Sequence, residues 1–380
     1  MIGAGDCMDG EKTATGAGGR LKRIYAASSL RKRMFMTVAA LLTIVATVVS
    51  VSIGAVDIPL GDTARTFLHA ILPTVFDGPS TPWYPDIILN ARLSRTLLCI
   101  ITGFSLALSG AVMQNILRNP LVSPFTLGLS SAASFGAAVA ILFGSGITGS
   151  VLILGHQFFI ENLFVAGLAV ISSLISVSLV VSLSRRSGIS RSTIILTGVI
   201  ISYLFQAGIS AIKYFSNDDA LREITLWLMG GMWNASWGVV FLVLPIVVLL
   251  TIVIESMSSK VNVLAAGDDV AESLGINVHK LRTVLMVLCT VVSSVCIAFT
   301  GIIGFIGLIA PHVTRMIIGN DSRYLFPASG FLGALILLSS DIVARMIIRP
   351  QEIPVGIIMY LVGGVFFIWL VCSRRKEVSL

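Results

Sequence analysis

Side chains able to do chemistry are sparse in this sequence, and their spacing excludes most catalytic arrangements. There is no G-x-x-x-x-G-K-[ST] run, so no loop cradles the phosphates of a nucleoside triphosphate. No H-E-x-x-H, nucleophile elbow or metal-ligand cluster occurs; His156, His279 and His312 stand isolated, as packed or interfacial histidines do. Cys7, Cys99, Cys289, Cys296 and Cys372 form no CxxC, and four of them lie in or beside apolar runs, where cysteine is a small apolar filler. No catalytic residue, metal site or cofactor is therefore expected. Asp341 and Arg345 are an i, i+4 pair near the end of an apolar run, and read equally as a local ion pair or a functional one. No apolar run holds a central pair of acids of the kind that relays protons in ion-coupled carriers. A chain that moved a solute with this inventory would have to borrow its energy.

The elements around these residues are membrane spans. Of 380 residues, 56% are hydrophobic and only 12% charged, with a mean hydropathy of +0.96, whereas a soluble domain carries about 25% charged residues. Lipid must solvate the excess. At about 20 apolar residues per span, ten can be drawn: 35–56, 96–116, 125–143, 163–184, 193–212, 238–254, 283–303, 304–318, 325–343 and 354–372. The seventh and eighth abut, so a hairpin must turn at Gly301 to Gly304, where glycine permits the backbone. The expectation is an all-α polytopic membrane protein of about ten transmembrane helices.

The net charge of +7 does not mark nucleic-acid binding, because its distribution is that of a membrane protein. Basic residues cluster in the leader, residues 1–34, and after the last run. With the N-terminus inside, only Arg65, Arg92, Arg95, Lys213, Arg222, Arg345 and Arg349 fall outside. That bias places both termini in the cytoplasm of a multi-pass cell-membrane protein. The leader reads as disordered and cytoplasmic, residues 35–376 as the transmembrane domain, and 377–380 as a cytoplasmic tail. Two loops are long enough to act: 57–94 outside, with Trp83 and Tyr84, and 255–282 inside, with a helical pattern from Asp268 to Leu274 that Asp268 would cap.

Small residues line several spans. Gly103, Ala107 and Ala111 fall four apart, a face that lets helices approach closely in lipid. Gly301, Gly304 and Gly307 are too many glycines for an ordinary helix. A weak internal repeat relates Arg95-Thr96, Ser109-Gly110 and Pro120 to Arg282-Thr283, Thr300-Gly301 and Pro311, in opposite directions, as inverted-repeat transporters are built.

Five ordered segments carry a family resemblance: Arg92 to Ala137, Trp227 to Trp237, Gly267 to Val278, Gly301 to Arg323 and Ser339 to Gly364. Together, over about residues 36–375, they resemble the FecCD-type permeases, the membrane subunits of ABC importers for iron-siderophores, haem and cobalamin. The resemblance implies the type II importer permease architecture: two ten-span subunits, identical or paralogous, around a central pathway. A cytosolic ABC ATPase dimer would sit below, and an extracytoplasmic binding protein would deliver the substrate. A ferric siderophore, as the commonest family substrate, comes first, with cobalamin and haem behind it.

The same resemblance assigns roles. Arg92, Arg95 and Arg345 resemble outer arginines that meet acidic residues on the binding protein. Gly267, Asp268, Asp269, Glu272, Leu274 and Gly275 resemble the coupling helix that sits in a cleft of the ATPase. Ser190, Arg191, Ser192 and Thr193 match the inner gate, with Arg191 bulkier than the usual residue. Gly103, Gly110, Gly301, Gly304 and Gly307 belong to pathway or packing positions. Val365 departs from the family's Gly-Gly-Pro, so the last helix should bend less. An ion-coupled secondary carrier and a non-transporting scaffold are the other readings; the missing relay and the polar inner loop disfavour the first, the glycine-rich segments the second.

Overall fold

The computed structural model describes residues 6–54, 56–144, 146–153, 155–186 and 191–374. The chain runs α1 (Asp6–Ser52), α2 (Leu60–Ile71), a π-helical turn (Asp86–Leu93), α3 (Ser94–Leu117), a 3-10 turn (Pro124–Leu127) and α4 (Leu129–Gly144). A short antiparallel hairpin, β1 (Ser150–Ile153) and β2 (His156–Phe159), precedes α5 (Ile160–Arg186) and α6 (Arg191–Phe215). Then follow α7 (Asp218–Met229), α8 (Trp237–Ser256), α9 (Ser258–Ala266) and α10 (Asp268–Ser273). The last four are α11 (Val278–Thr300), α12 (Ile306–Ile318), α13 (Ser322–Met346) and α14 (Val355–Arg374). Helix α1 begins within the leader expected to lack structure; its membrane-crossing stretch is Ser29–Ser52.

Among the described residues, eight helices are long and apolar enough to cross a bilayer, and α4 and α12 are shorter apolar ones. These ten coincide with the ten runs read from the sequence. Helices suit this solvent because each satisfies its own backbone polar groups. At 13 residues, α12 is only about 20 Å long, short of a bilayer core of about 30 Å. Its missing length is irregular backbone from Gly301 to Phe305, tolerable at that depth because protein covers it: Gly301, Ile303 and Gly304 are buried.

Helix α3 is the hub. In its most apolar stretch 83% of residues are buried, against 22% in α1 and α6 and 28% in α14, which therefore present their flanks outward. Close packing around α3 depends on missing side chains. A Cβ on Gly103 would lie 2.5 Å from the Gly333 carbonyl of α13, and one on Gly110 would lie 1.9 Å from the Gly307 carbonyl of α12. In lipid, where apolar burial gives helices little reason to associate, such approaches supply the packing that holds them.

The helices alternate in direction, so their connections gather at two ends. One end holds α2, the π-helical turn, the hairpin, α7 and the Gly301–Phe305 turn. The other holds α9, α10 and the α12–α13 turn. At the first end three segments meet without side chains between them: Gly231 N–H donates to Thr300 O (2.8 Å) and Gly356 N–H to Gly230 O (3.2 Å). A Cβ on Gly230, Gly301 or Gly356 would lie 2.1, 2.2 or 2.0 Å from a facing carbonyl.

The proposed repeat does not extend to local structure. Gly110 sits inside α3 while Gly301 ends α11 at φ +66°, and Pro120 lies in a turn while Pro311 lies inside α12.

Candidate functional site

At the first end, Arg92, Arg95 and Arg345 converge, but their guanidiniums turn into the protein. The last carbonyls of α1 have no partner within their own helix. Arg92 Nη1 donates to Val51 O (3.0 Å) and Ser52 O (2.8 Å), and Nη2 donates to Val56 O. Arg345 Nη1 donates to Ile53 O (3.0 Å) and Nη2 to Ser50 Oγ (2.7 Å). Two cations at a helix C-terminus also meet the negative end of its dipole. Gly54 makes room for this: a Cβ there would lie 2.8 Å from the Arg92 guanidinium.

Asp341, 0% exposed, lies between the other two arginines. Arg95 reaches it through Nη2 (2.9 Å) and Nε (3.2 Å), and Arg345 Nε stands 3.0 Å away. Arg95 Nη1 also donates to Glu352 (2.6 Å). A carboxylate this deep is tenable only when paired and hydrogen-bonded. The Asp341–Arg345 pair is therefore not a local i, i+4 contact alone; it ties α13 to α3 and α1. The three guanidiniums thus meet groups of this chain: carbonyls at the end of α1 and just beyond it, the Ser50 hydroxyl, and the carboxylates of Asp341 and Glu352. They border a cavity of about 290 Å³ that Trp233 and Glu352 help to line.

At the opposite end the six residues expected to couple to an ATPase lie together on α10 and its flanks. Gly267, at φ +151°, takes the N-cap position expected of Asp268. The Asp268 side chain turns inward instead, accepting Arg282 Nη2 at both oxygens (2.9 and 2.8 Å). Arg282 is 2% exposed, and its Nε donates to Ile116 O at the end of α3 (3.0 Å). Arg118 donates to Leu264 O of α9, fastening the same corner from the other side. Gly275 ends α10 at φ +78°, with Gly275 N–H on Glu272 O (2.9 Å) and Ile276 N–H on Ala271 O (2.9 Å). That is the Schellman pattern, in which glycine accepts the left-handed turn. Asp269, Val270, Glu272 and Leu274 are left exposed, so one face of this short helix is bolted down and the other is presented.

A second tie joins this corner to α13. Asp321 accepts Asn262 Nδ2 of α9 (2.8 Å), Lys32 Nζ of α1 (3.1 Å) and the Arg323 N–H (3.3 Å). Burial alone would raise the Asp321 carboxyl, but these hydrogen bonds and the Lys32 charge outweigh it and hold the group below the usual carboxylate range. Sequence reasoning missed Asp321, Asn262 and Arg282. Arg282 alone left a signal, a charge at the very start of an apolar run.

Of the expected gate, Ser190 lies outside the described residues, Arg191 opens α6, and Ser192 and Thr193 follow in its first turn. Each of the five glycines has a close neighbour where a side chain would go. Gly103, Gly110 and Gly307 lie at helix crossings, Gly301 faces Trp227 O, and a Cβ on Gly304 would lie 2.8 Å from the Tyr360 ring.

Comparison with known proteins agrees with this architecture. Residues 42–373 match the FecCD transport family. An ABC transporter permease protein of Bacillus subtilis is 35% identical, over 88% of this chain and 93% of its own. The hemin transport system permease protein of Yersinia pestis is 32% identical, over 85% and 94%. The cobalamin import system permease protein of Halobacterium salinarum is 32% identical, over 87% and 89%. A solved structure described as a metal-chelate type ABC transporter, facing inward, superposes with a TM-score of 0.76 at 29% identity, covering 90% of this chain and 99% of its own. With the fold, the apolar helices and the match along most of its length in agreement, this chain belongs to the FecCD transport family of ABC permeases, non-catalytic membrane subunits whose ATP is hydrolysed by a separate ATPase.

Proposed function

We propose that this chain carries a ferric chelate of the siderophore type inward across the cell membrane, with the Arg92 end outside and the α10 end in the cytoplasm. The orientation rests on the placement of basic residues, which favours the α10 end as the inner one. The cargo class rests on relatives named for hemin, ferric citrate, iron-hydroxamate and cobalamin, two of which are named for non-haem ferric chelates. Haem and cobalamin are the remaining candidates.

The observation that carries the reading is the anchoring of α10. A helix that transmits a push must be rigidly joined to the spans it moves and must leave a face for the ATPase. Asp268, Arg282 and the Ile116 carbonyl supply the joint, and Asp269, Val270, Glu272 and Leu274 supply the face. At the outer end, Arg92, Arg95 and Arg345 act in docking by fixing the rim on which a binding protein would settle. The start of α6, from Ser190 to Thr193, is the proposed inner gate. The outward flanks of α6 and α14 leave surface for a second permease subunit.

Reconstitution of the chain in proteoliposomes, with its ATPase and binding protein, tests this. Radiolabelled ferric siderophore, hemin and cobalamin are offered in parallel. Uptake should require ATP and both partners, and should be fastest for the ferric siderophore. Uptake driven by an ion gradient without the ATPase would overturn the reading.

A further inference from the structure

At the α10 end lies a cavity of about 630 Å³ between the end of α3, α12 and α14. Arg118 and Arg315 line it, and among the described residues no aspartate or glutamate does. Elsewhere in this interior Arg95 and Arg345 meet the Asp341 carboxylate and Arg282 that of Asp268, while Arg92 meets backbone carbonyls. Arg315 is held differently. Its Nε donates to Asn320 Oδ1, its Nη1 to Gln114 Oε1 and its Nη2 to Asn115 Oδ1, each at 3.0 Å.

Amide oxygens orient a guanidinium without cancelling its charge. They are themselves fixed, since Gln114 Nε2 donates to Gly307 O (3.2 Å) and Asn115 Nδ2 to Ser322 Oγ (3.0 Å). Three of the five N–H groups of Arg315 are thereby used, and two are left for a ligand. Arg118 is the second guanidinium of the wall; it lies 3.9 Å from Asp268, which Arg282 holds at 2.8 Å. The facing wall is apolar, with Trp369 53% exposed.

We propose that this cavity is an oxyanion site, which takes a carboxylate or phosphate group on Arg315 and Arg118 while the Trp369 wall covers the apolar body of the ligand. A pre-oriented guanidinium suits such a group because its fork meets two oxygens at once. The same chemistry is offered by the headgroup of an anionic phospholipid and by a carboxylate-bearing metal chelate. The site does not depend on the direction of transport or on the cargo proposed above.

The test uses the full-length chain in a neutral detergent, titrated with phosphatidylglycerol, ferric citrate and phosphatidylcholine, and read by native mass spectrometry. At least one anion should bind more tightly than phosphatidylcholine, and Arg315→Gln should weaken it about tenfold or more, the loss of one charge-assisted fork. Ser373→Asp, which adds a carboxylate to the cavity wall without touching the hydrogen bonds of Arg315, should weaken it in the same direction. Phosphatidylglycerol alone responding to both variants identifies a lipid site, and ferric citrate alone a cargo site. Equal binding of the anions and phosphatidylcholine, or anion binding unchanged in both variants, overturns the proposal.

Discussion

Removing the Asp268 carboxylate with Asp268→Ala would leave Arg282 buried with one backbone carbonyl for company. Breaking a fully buried pair from one side costs about 3–5 kcal/mol, and an exposed pair is worth about 0–1 kcal/mol. This pair lies between the two, because the Arg282 side chain is 3% exposed and that of Asp268 is 32%. About 2 kcal/mol is the reasonable figure, which is a factor of about 30 in the population of the docked helix. A six-residue helix does not persist in water unaided, so the loss should appear as local release. Amide hydrogen exchange at residues 270–275 should accelerate about 30-fold, and more ATP should be spent per chelate imported. Pairing Asp268→Ala with Arg282→Met should recover much of the loss, because an apolar side chain of similar length needs no carboxylate. Exchange within about twofold of the parent in the single variant, with transport still coupled, would refute the argument that this pair holds α10.

Two further outcomes follow from the packing and the electrostatics. Gly110→Ala would set a methyl 1.9 Å from the Gly307 carbonyl, so the yield of folded protein in detergent and its Tm should both fall sharply, by more than the 1–3 kcal/mol or so typical of overpacking. Gly61→Ala on α2, with nothing within 4 Å of the new carbon, should leave both unchanged or slightly raised. Asp321, held below the usual carboxylate range by Asn262 and Lys32, should contribute stability that is complete above its unfolded value of about pH 4 and lost as the pH falls through its lower folded value. Asp321→Asn should abolish that acid-induced part of the Tm loss; parallel pH profiles for the two proteins would count against it.

The membrane spans were legible because their signal is composition over about 20 residues, which lipid rewards directly. The amphipathic helices α2 and α7 were not, because at 12 residues each they are too short to give that signal. The direction of the arginines was also hidden. An arginine beside an apolar run looks the same whether it reaches outward or caps another helix. The difference lies in partners such as Asp341, 246 positions from Arg95, and in the carbonyls of α1. At α10 the turn at Gly275 was readable from its glycine, whereas the inward turn of Asp268 required knowing that Arg282 would be buried beside it. The three amides around Arg315 had no signature, since glutamine and asparagine are commonplace at the ends of spans.

The meeting of Gly230, Gly301 and Gly356 bears on how the Arg92 end could open. Where main chain lies directly on main chain, there is no layer of side chains able to change rotamer and let one segment slip past another. Helix α7, the turn before α12 and the beginning of α14 therefore behave as a single plate. If α7 swings, the other two must travel with it, so a displacement at that end is handed to two spans at once.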